Sequence, residues 1–493
     1  MQATKQLTRA AGSFFSGTFL SRLSGFARDL SMAICFGATP TVAAFMLAFR
    51  FANLARRLLG ETPLTSSFIP HFETLRSTSE KEALQFFADF LLSLGSVLIA
   101  LIVPAMLLLP HTEVCDLTRL MLPGLFFICL FGLSSAYLQC EKRFFTSGAL
   151  PMTLNIVWIG IILKFRQSPA PVAMRFLALG VVGAFALQWL LASVPIAKQL
   201  SWTILKKARP FSPQVRAMIM PFALGIIGVG ASQINSALDA LFARSACLEG
   251  PAYLWYAIRM QQLPLILFGM AWSTALLPAL SKASESEQLP LLHHAINRCA
   301  LFLIPVTFAL LPCASAGVNL LFGHGDFTPE AVHKTTQCLW AYGVGLFPAA
   351  LVMMLSARFY SKKDFRTPSM AALICVGANI GLNALLVYGF QLGAASVALA
   401  TSATQFINAY LLLRKCNAGS LKLNKLIGAS ALAAVTAVLL YPDPVFIGGE
   451  FPRVFFMQLK NLAFPFLAFC TVMALQWKWY IQPANQTDRS NTE

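Results

Sequence analysis

The sequence predicts an all-α polytopic membrane protein, and three observations lead there. Of its 493 residues 57% are hydrophobic and only 12% are charged, whereas a soluble domain carries about one-quarter charged residues. The mean hydropathy is +0.67. Apolar runs of about 20 residues, long enough to cross a hydrocarbon core of roughly 30 Å, recur along the whole chain. Only helices and closed barrels satisfy their backbone groups in lipid, and a barrel would show alternating segments of about ten residues instead.

In order, the runs resolve into about fourteen spans, at 11–36, 40–60, 84–110, 117–140, 148–164, 175–197, 217–243, 251–280, 298–323, 334–360, 367–390, 393–413, 424–441 and 457–477. Lys5 and Arg9 precede the first run, which lacks a small-residue cleavage site and is interrupted by Arg22 and Arg28; it reads as a retained span rather than a signal peptide. With the N-terminus inside, the even-numbered connections carry the cations: Arg76 and Lys81, Lys142 and Arg143, Lys198 with Lys206, Lys207 and Arg209, Lys282 and Arg298, Lys362, Lys363 and Arg366, and Arg414, Lys415, Lys422 and Lys425. The opposite connections are poor in cations, as positive-inside topology requires. The exception is 164–175, with Lys164, Arg166 and Arg175 on the predicted outside. Both termini are then cytoplasmic. The net charge of +17 is explained by these loops rather than by nucleic-acid binding.

The basic linker 199–216 divides an N-terminal lobe, 1–198, from a C-terminal lobe, 217–415; two further spans occupy 416–480 and a polar cytoplasmic tail 481–493. A weak internal match supports two related six-helix halves: Ala48-Phe-Arg50-Phe-Ala-Asn53-Leu54 aligns with Ala257-Ile-Arg259-Met-Gln-Gln262-Leu263, and each is followed by an apolar-Pro step, Ile69-Pro70 and Leu277-Pro278.

Charges inside the apolar runs are the candidate site. Arginine within a span is expensive, and it usually faces a water-filled cavity on a substrate path. The stretch 21–57 holds Ser21, Arg22, Arg28, Asp29, Arg50, Asn53 and Arg57. Arg22 and Arg28 are six residues apart, about 240° around a helix; a straight helix splays them, and the Ser24-Gly25 step between them permits a bend toward one cavity. With Arg50 and Arg259, four guanidiniums would converge. Arginine grips phosphate bidentately and keeps its charge, and four suit a diphosphate. Asp29 and Glu61 are the acids able to pair with them. In the second half Asp239, Asn379, Asn383, Thr401 and Thr404 form an oxygen-rich set suited to a hard cation, a Na+ or H+ coupling site; ordinary interhelical hydrogen bonding is the competing reading.

Enzymatic readings find little. The sequence has no nucleophile elbow, P-loop or HExxH, and six dispersed histidines. Its eleven cysteines lack CxxC or zinc spacing and suit apolar packing.

The residues named above resemble the MurJ (MviN) family of the MOP exporter superfamily. The resemblance runs through Ser21-Arg22-Leu-Ser-Gly25-Phe26-Ala-Arg28-Asp29, Phe36-Gly37-Ala38, Asn53-Leu-Ala-Arg56-Arg57-Leu-Leu-Gly-Glu61, Phe68-Ile69-Pro70, Leu276-Leu277-Pro278-Ala-Leu-Ser281-Lys282 and Phe359-Tyr360-Ser361-Lys362-Lys363-Asp364-Phe-Arg366-Thr367-Pro368. It implies a fourteen-helix flippase for lipid II, the undecaprenyl-diphosphate-linked peptidoglycan precursor, in the bacterial inner membrane. Two lobes would enclose a cationic cavity, with the last two helices forming a groove for the lipid tail. The family's essential arginines fall on Arg22, Arg28 and Arg259, and its basic residue in span 2 on Arg50. Ser21, Asp29, Asn53, Arg57 and Glu61 also match. Two acids the family often carries are absent, leaving Ala43 and Gln262 in their places, so the site is expected to be more cationic than usual.

The expected activity is transport by alternating access, driven by membrane potential or a Na+ or H+ gradient, in a monomer that works beside cell-wall synthesis or division proteins. The alternatives are a flippase for another lipid-linked oligosaccharide, a drug antiporter, a non-transporting scaffold and a membrane glycosyltransferase. An antiporter for cationic drugs calls for an acidic cavity, a scaffold leaves the buried arginines unexplained, and a glycosyltransferase calls for a large extramembrane loop.

Overall fold

The computed structural model describes residues 20–60, 62–416, 421, 423–441 and 453–480. Among the described residues every regular element is helical. Ten helices there are long and apolar enough to cross a membrane. The predicted spans at 11–36, 40–60, 217–243 and 424–441 fall on a helix at 20–36, Pro40–Leu59, Pro213–Ala246 and the shorter apolar Asn424–Leu440. Glu61 and the tail 481–493 lie outside the described residues. The chain divides into two compact units, Met1–Ala237 and Leu238–Glu493.

The first unit opens with α1 (residues 20–36). The turn after it needs a left-handed residue, which Gly37 supplies at φ 60°. Helix α2 (Pro40–Leu59) then starts on two local signals: Thr39 Oγ1 accepts from the Val42 amide, and Pro40 occupies the first turn. Its apolar run from Val42 to Phe49 is buried throughout. There α2 packs on α5 (Glu113–Cys140), which also packs on α8 (Ala170–Ala197). At Gly132 of α5 a Cβ would stand 1.7 Å from the carbonyl oxygen of Gly60, the residue that caps α2. Small residues let membrane helices meet at this range.

Between spans 2 and 3, where a plain connection was expected, the chain forms helix α3 (Thr62–Thr78). Leu64, Phe68 and Phe72 recur every four residues and are buried, and Phe68 stacks on Phe86 of α4 (Glu80–Leu108) at 5.6 Å. The segment is too polar for a span, yet it is amphipathic enough to fold against one. The predicted span 148–164 is broken at Leu150-Pro151 into α6 (Phe144–Ala149) and α7 (Met152–Lys164).

The basic linker is pinned to this unit at both ends. Gln199 receives the Tyr137 hydroxyl and donates to Glu141, which also pairs with Arg76 at 3.0 Å. Further on, Asp89 and Ser93 of α4 accept from the backbone amides of Arg209 and Phe211, both at 2.9 Å. A short helix, α9 (Trp202–Lys206), lies between these anchors. The charge exception on the predicted outer side also finds a local balance. Arg175 lines a cavity of about 290 Å³ together with Glu113, Asp116 and Thr41.

Helix α10 (Pro213–Ala246) carries the division between the units. The second unit continues with α11 (Gly250–Pro264), a π-helical stretch Leu265–Met270 and α12 (Ala271–Lys282). Next come α13 (Glu285–Phe322), α14 (Pro329–Val344), α15 (Leu346–Ser361), α16 (Arg366–Ala384) with a π-helical end at Leu385–Gly389, and α17 (Ala395–Cys416). Its core joins Leu280, Leu292, Cys299, Leu303, Met354 and Leu412. Helices α18 (Asn424–Leu440) and α19 (Arg453–Tyr480) pack on each other and on α13 through Ala433, Ala437, Phe469 and Phe308. The Lys362–Pro368 motif is in part a helix start. Lys363 turns left-handed at φ 61° and Asp364 accepts from the Thr367 amide at 3.0 Å. That bond holds the partly buried Asp364 carboxyl below its usual range. The cap is therefore in place at neutral pH and is lost as acid titrates the carboxylate.

Gly132→Ala should destabilise the protein by about 1–3 kcal/mol, the typical cost of overpacking, because α5 must move off Gly60. Thermal unfolding of the purified protein in detergent measures this, and an unchanged midpoint would show that the α2–α5 approach is not constrained.

Candidate functional site

Each unit holds its own polar cluster within apolar helices. In the first unit the centre is Arg28, 7% exposed, beside Asp29, 1% exposed. Arg28 Nε and Nη2 donate to Asp29 Oδ1 at 3.0 and 2.8 Å, and Nη1 donates to Asn155 Oδ1 at 3.0 Å. The guanidinium also lies 4.9 Å from the ring centre of Trp158, within cation–π range. Three of its five N–H groups are thereby used. Asn155 completes a loop of contacts, since its Nδ2 donates to the Ser21 carbonyl at 3.0 Å and to Ser24 Oγ at 2.8 Å.

Residues 20–36 form one uninterrupted helix through the Ser24-Gly25 step. Arg22 is exposed while Arg28 is buried, the splay that a straight helix gives two residues six apart. Asn155 packs beside Gly25, where a Cβ would make an ordinary contact of 3.6 Å with the amide nitrogen.

Along α2, Arg50 and Arg57 are two turns apart on one face. Both reach α10: Arg50 Nη1 donates to the Ser236 carbonyl and Arg57 Nη1 to Gln233 Oε1, each at 3.0 Å. Asn53 bonds within its own helix, donating to the Phe49 carbonyl and accepting from Arg56 Nε. Ala43 is fully buried in the apolar wall of α2.

In the second unit Arg259 lies 4.4 Å from the centre of the Trp255 ring and donates to Gln262 Oε1 at 3.5 Å. Both partners belong to α11, just before the π-helical stretch. Gln262 thus meets the arginine with a neutral amide. The sequence-predicted oxygen set does assemble. Asp239 Oδ1 accepts from Asn379 Nδ2 at 2.7 Å and Asn383 Nδ2 at 2.9 Å, while Oδ2 accepts from Thr401 Oγ1 at 3.1 Å. Both asparagines are fully buried, and Asp239 is 5% exposed. Thr404 donates to the Thr401 carbonyl rather than to the carboxylate. Three donors therefore converge on one buried carboxylate from α16 and α17, which satisfies a charge that would be costly alone. A hard cation would need the two amides to turn their oxygens toward it. No metal-binding group of three or more His, Cys, Asp or Glu occurs among the described residues.

Sequence reasoning missed Asn155, Trp158 and Trp255. One signal was available for Asn155, a lone amide in the apolar run Met152-Thr-Leu-Asn155-Ile-Val-Trp158. The two tryptophans look like ordinary apolar residues until a guanidinium is found over each.

A family model for the lipid II flippase MurJ matches residues 32–449. A probable lipid II flippase MurJ of Chlamydia trachomatis is 34% identical over 392 residues, covering 77% of this chain and 73% of the relative. One from Thermotoga maritima is 29% identical over 443 residues, 87% of this chain and 89% of the relative. A solved lipid II flippase MurJ in an inward closed conformation superposes with a TM-score of 0.76 at 23% identity, over 95% of this chain and 99% of that one. An inward-facing multidrug resistance MATE transporter of the MOP superfamily gives 0.63 at 17% identity, over 82% and 95%. These structural likenesses are of fold.

Asn379→Leu and Asn383→Leu each take one donor from Asp239 and should each destabilise the protein by about 1–3 kcal/mol. The pair should be non-additive, since both act on one oxygen. Strictly additive midpoint shifts in thermal unfolding would mean that the two amides act independently of the carboxylate.

Proposed function

The chain belongs to the lipid II flippase MurJ family, and from that premise we propose that it carries lipid II from the cytoplasmic to the outer leaflet of the bacterial inner membrane, its arginines gripping the diphosphate. It is a multi-pass inner-membrane protein of a transporter family. The observation that carries the reading is the guanidinium of Arg28, buried in an apolar helix and held by its neighbours with N–H groups to spare. A diphosphate offers charged oxygens in the geometry such a fork prefers. Arg22, exposed on the same helix, and Arg50 add charge in the first unit; Arg259 is the second unit's contribution over the transport cycle. Ser21, Asn53 and Arg57 supply further polar contacts. Asp29 balances Arg28 while no substrate is bound, and Glu61 is the second gating acid.

The cycle is alternating access. The headgroup enters from the cytoplasm while the prenyl tail stays in lipid along α18 and α19, and the lobes then open outward. Both termini are cytoplasmic in this scheme. Moving charge through the field contributes about 2.3 kcal/mol per charge per 100 mV, so membrane potential is one drive. The cluster of Asp239, Asn379, Asn383 and Thr401 is the coupling-ion site for Na+ or H+: Asp239 is a buried carboxylate able to take a proton, and a cation would be met by its oxygens once the two amides that donate to it turn. The protein acts as a monomer beside peptidoglycan synthesis or division proteins.

Arg22→Ala, Arg28→Ala and Arg259→Ala should each fail to support growth of a strain depleted of the protein, although each is made and inserted, and lipid II should accumulate on the cytoplasmic face. Normal growth of all three would overturn the arginine model. Accumulation of another lipid-linked oligosaccharide would assign that cargo instead. Transport by reconstituted protein should depend on Na+ or on a pH gradient, and Asp239→Asn should abolish that dependence; equal rates with and without either gradient would remove the coupling role.

A further inference from the structure

We propose that Asn155, together with Trp158 one turn along the same helix, is the positioning residue that aims Arg28 at the anionic group of the substrate. This rests on the reading of Arg28 as a diphosphate ligand.

The argument starts from what a lone guanidinium in an apolar helix does. A long side chain with several rotatable bonds turns toward the nearest counter-charge or snorkels to the interface. The nearest counter-charge to Arg28 is its neighbour Asp29, which takes Nε and Nη2 on a single oxygen. That contact ties the pair to no other helix, because both partners sit on α1. Asn155 does. It is 5% exposed and belongs to α7. Its Oδ1 holds Arg28 Nη1, and its Nδ2 is itself held by the Ser21 carbonyl and Ser24 Oγ. The amide is therefore locked at both ends, its acceptor oxygen turned to the arginine.

Trp158 supplies the other constraint. Its indole lies under the guanidinium, and Phe45 and Phe49 of α2 meet it edge-on with ring centres at 5.1 and 5.0 Å. The ring is fixed by α2, so the plane beneath Arg28 is fixed too. Asp29, Asn155 and Trp158 together use three N–H groups and one face, and they leave one N–H on Nη1 and one on Nη2 without a partner among the described residues. Those two donors are what a phosphate would take. Asn155 is neutral, so it orients the arginine without competing for its charge; a second carboxylate in its place would hold Arg28 against the substrate.

The test is a double-mutant cycle on the full-length protein in detergent, read as the affinity for lipid II. Arg28→Ala should weaken binding strongly. Asn155→Ala should weaken it roughly tenfold on its own and not at all in the Arg28→Ala background, since a residue that acts through another loses its effect when that other is gone. Asn155→Asp, which preserves shape, should weaken binding at least as much as Asn155→Ala, and it keeps the test informative should the alanine variant fold poorly. If Asn155→Ala leaves affinity unchanged, or lowers it by the same factor with and without Arg28, Asn155 is only a packing residue and the proposal falls. If Arg28→Ala itself leaves lipid II binding intact, or the parent protein does not bind lipid II, the diphosphate reading falls first and the positioning role with it.

Discussion

The interaction on which the first unit depends is the buried pair of Arg28 and Asp29. A single arginine or aspartate at the centre of a membrane helix costs about 2.5–3.5 kcal/mol on insertion scales. One interhelical hydrogen bond in a membrane returns about 0.6 kcal/mol on average. Hydrogen bonds alone therefore do not support a bare charge inside an apolar helix; mutual neutralisation does. Adjacent residues on a helix diverge by about 100°, so Arg28 meets Asp29 only by folding its long side chain back. That geometry consumes Nε and one Nη and leaves the far end of the group to be settled by other helices. The Asn155 amide and the Trp158 ring settle it, which explains why a polar side chain persists in the apolar α7.

Much of this was legible in the sequence, and the reasons differ by element. Spans are legible because lipid imposes length and hydropathy directly, as in Glu80–Leu108 or Glu285–Phe322. Helix α3 was not, because its apolar residues form a stripe rather than a run, and a stripe needs a partner such as the Phe86 and Phe90 face to become visible. The set of Asp239, Asn379, Asn383 and Thr401 could be assembled from sequence since each is a polar residue in a poor setting for one. The sequence shows that the Ser24-Gly25 step permits a bend but not whether one is used, and the helical assignment runs through it without a break. Tryptophan beneath an arginine carries no one-dimensional signal, because burial in an apolar span already accounts for it.

Neutral partners recur among the arginines, and each unit shows this by itself. Within the first unit Gln233 and the Ser236 carbonyl of α10 receive Arg57 and Arg50. Within the second, Gln262 meets Arg259 with an amide oxygen. An amide or carbonyl oxygen orients a guanidinium without neutralising it, whereas a carboxylate also takes up its charge. The same economy runs in reverse at Asp239, where three neutral donors converge on one carboxylate. Burying a charge is costly unless it is hydrogen-bonded, so the two amides and the hydroxyl explain why an acid is tolerated among the apolar helices of that unit.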